Sequence, residues 1–326
     1  MIKLVNLSTY KYDMDRFHCN SSEIINFLEK HNIGGVELLN PLMWNENIIP
    51  SSIVKGVHLK YYPTWLDFWN NNEEELLRQF NSMEAVKKYY GGTTRESIIE
   101  QYRKEIQQAD KIGAEYVVFH VAHVQVEHAY TYDYTYNDEE IIDATAELVN
   151  EVFKGLNTNI KLLFENLWQR GLTMVNKDMV SRLLEKVDYF NKGFMLDTGH
   201  LMNTNLSLKN EKDGIQYILD TVNNLGELKK FIKGIHLNCS LSGEYVTKQI
   251  ESNPKDKLSF DYMQKNVLFH IMKIDMHKPF SDNTVKQLIN IIEPEYVIYE
   301  FITRSVEELE EYITIQNKSL QTLSPN

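Results

Sequence analysis

A short apolar run, a polar stretch and a helical pattern follow one another about eight times along this chain of 326 residues. The runs are Lys3–Asn6, Gly35–Leu39, Gly56–Leu59, Tyr116–His120, Lys161–Glu165, Gly193–Asp197, Gly234–Leu237 and Tyr296–Glu300. Most are nearly continuous in apolar residues, as strands covered on both faces of a parallel sheet must be. Glycines at or just before several starts (Gly34, Gly35, Gly56, Gly113, Gly193, Gly234) are read as the ends of the preceding helices.

The segments between the runs carry helix signatures of their own. Thr93–Thr94–Arg95–Glu96 reads as a capping box, followed by Ile98, Ile99, Tyr102, Ile106, Ala109 and Ile112 at helical spacing. Asn137 with Glu140, Asn176, and Ser305 with Glu308 open three further helices. Strand and helix alternating in this way predict an α/β fold, a (β/α)8 TIM barrel with extended βα loops. An open doubly wound sheet is the alternative, but no GxGxxG follows the first run. No linker divides the chain, so residues 1–316 are expected to form one barrel domain, with 317–326 as a polar tail. The length beyond a minimal barrel of ~250 residues lies in Tyr61–Gly92, the tyrosine-rich Tyr130–Tyr136 and Ser240–Lys273. All three follow strands, on the face where such barrels build active sites.

Composition narrows the function. The 34 basic against 46 acidic residues give a formal net charge of −12, which disfavours a passive nucleic-acid coat. No run of 18 apolar residues suggests a membrane span. The start lacks the basic and long apolar regions of a secretory signal, and two cysteines, Cys19 and Cys239, build no disulfide framework. A cytoplasmic location is expected, with no membrane partner.

The ends of the runs hold the chemistry. The third ends in His58, the fourth in His120, the fifth in Glu165–Asn166. The sixth ends Asp197–Thr198–Gly199–His200, the seventh has His236–Leu237–Asn238, and the eighth ends in Glu300, while Asp275–Met276–His277 follows the last insertion. With 10 histidines in the chain, chance would place roughly half a histidine over the last two positions of eight runs. An apolar strand that delivers a carboxylate to a barrel mouth must pair its charge. One His at a strand end is more often a structural hydrogen-bonding residue, and one Glu more often a salt-bridge partner. Seven chain locations converging on one face point instead to divalent cations. With no thiolate in the set, zinc suits it best, with manganese or iron next and calcium worse.

This order of motifs resembles the xylose-isomerase-like barrel superfamily, and within it the endonuclease IV branch of AP endonucleases. The resemblance runs from Ile2 to about Ile315, through strand-end motifs. It implies up to three zinc ions: one on His58, His120 and Glu165; a second bridged by Glu165 and held by Asp197, His236 and Glu300; a third on His200, Asp275 and His277. Tyr61 falls where the branch has an active-site tyrosine. The chain departs from the branch at Asn6–Leu7–Ser8–Thr9, Val121–Ala122–His123–Val124, Leu167–Trp168–Gln169–Arg170 and Cys239, and in the long spacing from His236 to Asp275. Loops at such positions penetrate and bend abasic DNA in the branch.

Three clustered metals suit phosphoester hydrolysis. The isomerase and epimerase relatives need one ion on residues like Glu165, Asp197, His236 and Glu300, with Glu165 and Glu300 flanking a sugar carbon to move its proton. That smaller set is also complete, and a non-catalytic binding barrel is the third alternative. A small polar or phosphorylated substrate is expected rather than duplex DNA. His123 and His128 with the tyrosines Tyr130, Tyr132, Tyr134 and Tyr136 are read as a solvated loop in preference to a substrate lid. Trp65, Phe68 and Trp69 are either pocket wall or core. Cys239 is rejected as a nucleophile, and His18, His31 and His270 receive no role.

Overall fold

Eight parallel strands pair in chain order, and the last pairs with the first to close a barrel. They are β1 (Ile2–Ser8), β2 (Val36–Leu39), β3 (Val54–His58), β4 (Tyr116–His120), β5 (Lys161–Glu165), β6 (Lys192–Asp197), β7 (Ile232–His236) and β8 (Tyr296–Tyr299). The structure is a computed structural model that describes residues 1–252 and 254–321. Helices surround the strands, which is the expected (β/α)8 TIM barrel. Among the described residues, no helix is long and apolar enough to cross a membrane.

Two hydrophobic layers hold it together. Between strands and helices lies a large cluster that takes in Ile98, Ile106 and Ala109 of the helix Arg95–Ile112. Inside the barrel a small plug is built from Leu4, Tyr116, Val118, Leu163, Met195, Tyr296 and Ile298. The glycines have a different part from the one expected. Gly113 does end a helix, at φ +86° with its N–H on the Ala109 and Asp110 carbonyls. Gly56, Gly193 and Gly234 lie within strands instead. Gly56 is the position where the plug demands it: a Cβ there would sit 2.1 Å from Cζ of Tyr116. Without that side chain, Tyr116 fills the barrel axis and sends its hydroxyl toward β2.

Helix caps are mostly as read. Asn137 and Glu140 form the reciprocal box, and Asn176 and Ser305 accept from the first-turn N–H groups of their helices. Thr94 does not cap with its side chain, so the box expected at Thr93–Glu96 does not form. The last helix, Val306–Ser319, runs through Asn317, where the polar tail was expected to begin. Lys3 Nζ donates to Asn317 Oδ1 at 3.0 Å, tying that helix to β1. The rest of the expected tail, 322–326, lies outside the described residues.

The three insertions form helices over the C-terminal end of the barrel. Tyr61–Gly92 supplies Trp65–Trp69, Glu73–Phe80 and Met83–Tyr90. The tyrosine-rich segment supplies Val126–Thr131, and Ser240–Lys273 supplies Gly243–Glu251, Pro254–Lys257 and most of Phe260–Ile274. The tyrosine-rich segment is a loop only from Tyr132 onward, and there Tyr132, Tyr134 and Tyr136 are half-buried while Asp133 and Thr135 are exposed. His123, His128 and Tyr130 are buried, and Tyr130 stacks on His270 with ring centroids 4.0 Å apart. The aromatic rings are consumed in packing one insertion against another. Trp65, Phe68 and Trp69 are all buried in the main core.

Candidate metal centre

The strand ends deliver their polar residues to one place. His58, His120 and Glu165 present ligand atoms within 4.8 Å of one another; so do Glu165, Asp197, His236 and Glu300, and so do His200, Asp275 and His277. Glu165 belongs to two of these groups, so they adjoin. All nine residues singled out in the sequence are brought together, and all but His120 are buried.

The local sequence explains how each is aimed. Asp197 ends β6 and caps the short helix Thr198–Asn203, accepting from the His200 N–H at 2.6 Å. Its other oxygen accepts from Asn238 Nδ2 at 2.9 Å, and the Thr198 hydroxyl donates to the Asn238 carbonyl at 2.6 Å. Gly199 is required by that contact, because a Cβ would meet Asn238 Oδ1 at 1.9 Å. Thus the Asp–Thr–Gly–His and His–Leu–Asn motifs brace each other. Asn6 holds the Phe301 N–H and carbonyl through its amide at 3.2 and 3.3 Å. It thereby fixes the backbone beside Glu300.

Three of the five imidazoles share one arrangement. His58 Nδ1 faces the Leu59 carbonyl at 3.1 Å, His200 Nδ1 the Asn166 carbonyl at 2.8 Å, and His277 Nδ1 the Glu300 carbonyl at 3.0 Å. A carbonyl only accepts, so each Nδ1 carries a proton. Each Nε2 is thereby turned toward a carboxylate. His58 Nε2 lies 3.0 Å from Glu165 Oε2, and His200 Nε2 and His277 Nε2 lie 3.1 and 2.7 Å from Asp275 Oδ2. Where no cation lies between them, such a pair is held by a proton on Nε2, and the facing carboxylates raise His58 to about 9 and His277 to about 10 against their burial; a bound cation would take the place of that proton.

Electrostatics say the same. Burial works to raise the Glu165 carboxyl, yet the imidazoles of His120 and His236 foremost hold it well below the usual carboxylate range. Burial raises Glu300 to about 7, against the pull of His236 and His277. His236 and His200 are driven well above their ordinary value by carboxylates that outweigh their burial. Glu165 Oε1, His236 Nδ1, Glu300 Oε2 and His120 Nδ1 are buried with no hydrogen-bond partner. Four carboxylates, five imidazoles and these orphaned atoms fit divalent cations, which supply the missing charge and partners together.

A family model described as xylose isomerase-like TIM barrel matches residues 90–287, more than half of the chain. The chain belongs to that family. As a xylose isomerase-like barrel it resembles endonuclease IV from Thermus thermophilus, with a TM-score of 0.56 and 12% identity over 98% of this chain and 99% of that one. It also resembles the IOLI protein solved with a binding zinc atom, with a TM-score of 0.52 and 13% identity over 98% and 96%. Likeness at that identity shows the fold. No curated protein sequence matches the chain.

Around the cluster of this xylose isomerase-like barrel lies a cavity of about 710 Å³, walled in part by Tyr10, Asn40, Lys60, Tyr61 and Leu268. The Tyr61 ring is 4.5 Å from that of His120, and its buried hydroxyl has no hydrogen-bond partner among the described residues. Burial raises that hydroxyl well above the ordinary phenol value. Cys239 is buried and its thiol is pushed up to about 12 by burial, so it is no nucleophile.

Sequence reasoning missed Glu37. Fully buried in β2, it places Oε1 3.0 Å from His236 Nε2 and accepts the Tyr116 hydroxyl on Oε2 at 2.8 Å. Burial opposes its charge, but His236 first, then His58, keep its carboxyl below the ordinary range. The signal was present: an acid inside an apolar run that is covered on both faces.

Proposed function

We propose that this protein is a metal-dependent phosphoester hydrolase acting on a small polar or phosphorylated substrate, with zinc as its cofactor. The observation that carries the reading is the sharing of Glu165 between two ligand groups, with the third adjoining through His200, whose Nδ1 is 3.3 Å from Glu165 Oε1. A cluster of that kind has room for up to three ions, on the nine residues His58, His120, Glu165, Asp197, His200, His236, Asp275, His277 and Glu300. Divalent ions held there would supply Lewis acidity to phosphoryl oxygens and lower the pKa of water. The endonuclease IV likeness and the zinc found in the IOLI protein support the same choice.

The chain's own groups complete the site. Tyr61, beside His120, offers a hydroxyl that stays protonated and can donate to a substrate oxygen. The buried strand ends exclude water from around the carboxylates, which strengthens every charge interaction with the substrate. Net charge −12 favours a compact substrate over duplex DNA.

The second reading is a sugar or sugar-phosphate isomerase or epimerase. It is favoured by one observation: Glu165, Asp197, His236 and Glu300 form a complete four-residue group without the other five. In that reaction Glu165 and Glu300 flank a sugar carbon and exchange its proton.

One experiment separates the two. Zinc-replete protein is incubated with small phosphoesters, abasic duplex DNA and a panel of ketoses in deuterated water. Release of phosphate or alcohol from the small esters is the expected result. Deuterium entering a sugar beside its carbonyl, with no ester cleaved, would overturn the hydrolase in favour of the isomerase. Incision of the DNA would make the substrate a nucleic acid.

A further inference from the structure

Beside its histidines, the wall of the cavity contains one lysine and no arginine among the described residues, and the lysine is Lys60. It lies between His58, a candidate ligand, and Tyr61. Its ammonium stands 4.3 Å from the centroid of the Tyr62 ring, with burial lowering its pKa and the charge of Glu105 raising it. An acid stands nearby in the same wall but is spoken for. Glu105 Oε2 accepts the Lys60 N–H at 2.8 Å, and Oε1 accepts Gln101 Nε2 at 2.6 Å. The other side of the Lys60 backbone is held as well, because the Tyr102 hydroxyl donates to its carbonyl at 3.0 Å.

Glu105 and Tyr102 both come from the helix Arg95–Ile112, outside the barrel. A buried glutamate on the inward face of that helix is costly unless its oxygens are satisfied. Here it fixes the main chain of an exposed loop residue at both polar groups. The product of that arrangement is a lysine whose backbone is rigid and whose ammonium rests on an aromatic face, at the rim of a cavity with acid at its floor. An ammonium so placed is a point-charge receptor for an anion.

We propose that Lys60 is a specificity-determining residue, binding a phosphate that the substrate carries away from its reacting centre. The assignment rests on the hydrolase reading above, in which the reacting ester lies at the His and carboxylate cluster. Glu105 and Tyr102 act through Lys60 and are positioning residues. The preferred substrate is therefore a molecule with two phosphoryl groups, one at the cluster and one at the rim.

The test uses the zinc-loaded full chain as wild type, Lys60→Met and Lys60→Arg. Binding of a series of alkanediol monophosphates and the matching bisphosphates is measured by calorimetry. The wild type is expected to prefer the bisphosphate of at least one chain length by about tenfold. Lys60→Met loses that preference while keeping its zinc and its monophosphate affinity, and Lys60→Arg keeps most of it. A merely structural lysine would leave the ratio of the two affinities unchanged. A preference that survives in Lys60→Met, or no preference in the wild type at any length, would overturn the assignment. If no phosphoester is cleaved but the preference depends on Lys60, the hydrolase reading falls and the phosphate receptor stands.

Discussion

Glu37 Oε1 lies 3.0 Å from His236 Nε2, and both side chains are fully buried. Glu37 is ionised and can only accept, so Nε2 carries a proton and Nδ1 is the ring atom left to face the cluster. Nδ1 lies 3.3 Å from both Glu165 Oε1 and Glu300 Oε2, carboxylates that drive the imidazole above its ordinary value and that a cation would share with it. A carboxylate behind the imidazole thus orients it toward a cation in front, an arrangement that raises the basicity of a metal ligand. The chain of cause begins in the barrel axis, where Gly56 leaves room for Tyr116 and Tyr116 holds Glu37.

The first prediction follows from that chain. Glu37→Ala is expected to lower zinc affinity by about ten- to a hundredfold. Tyr116→Phe, which removes one hydrogen bond to Glu37, has a smaller effect in the same direction. Competition against a chelator of known affinity measures both. Unchanged affinity in Glu37→Ala would mean that His236 is oriented by packing alone.

A second prediction concerns the axis itself. Gly56→Ala forces a methyl group into the Tyr116 ring. Overpacking of this sort costs about 1–3 kcal/mol, read as a fall in Tm of a few degrees. The variant also weakens zinc binding, because Tyr116 cannot move without leaving Glu37. A loss of Tm with zinc affinity intact would separate the two functions of the ring.

The expected barrel and the cluster were legible because both are written at strand ends: apolar runs give the strands, and His or acid at their ends breaks the run. Glu37 was hidden because it breaks a run from the middle, where a single acid gives no sign of its partner. Lys60 and Glu105 were hidden for another reason. Their contact joins a loop to a helix 45 positions later, and no spacing rule connects them. The Tyr130–Tyr136 segment looked solvated because its tyrosines alternate with polar residues. Its burial depends on the insertion that carries His270 and Met263, which pack on it from more than a hundred residues away.

The third prediction is of pH. Burial first, and then the neighbouring His123, lower the His128 imidazole from 6.5 to about 4. Its Nδ1 accepts from the Gln125 N–H at 3.1 Å, a bond that protonation would break. Between those two values the unfolded chain takes up a proton that the folded chain refuses, so stability rises with pH across that window. The contribution is complete above about 6.5 and is lost as pH falls toward about 4. His128→Gln, which has no such titration, is expected to show a smaller drop in Tm than wild type between about pH 7 and about pH 5. An equal drop in both proteins would assign the acid sensitivity to other groups.

The fourth prediction distinguishes shared from peripheral ligands. Glu165→Gln disturbs two of the ligand groups and is expected to lose two zinc ions, whereas His277→Ala touches one group and loses one. Ions counted per chain by native mass spectrometry give the answer. Equal losses would favour a single shared site. Chelation of the wild type should also lower Tm, since buried carboxylates are then left without their counter-charges.

Elemental analysis of the purified, zinc-reconstituted chain reads out whether the nine residues form a cation-binding cluster. Two or three zinc ions per chain are expected to survive extensive dialysis. A chain that holds no metal as purified, and takes up none on addition, would contradict that expectation.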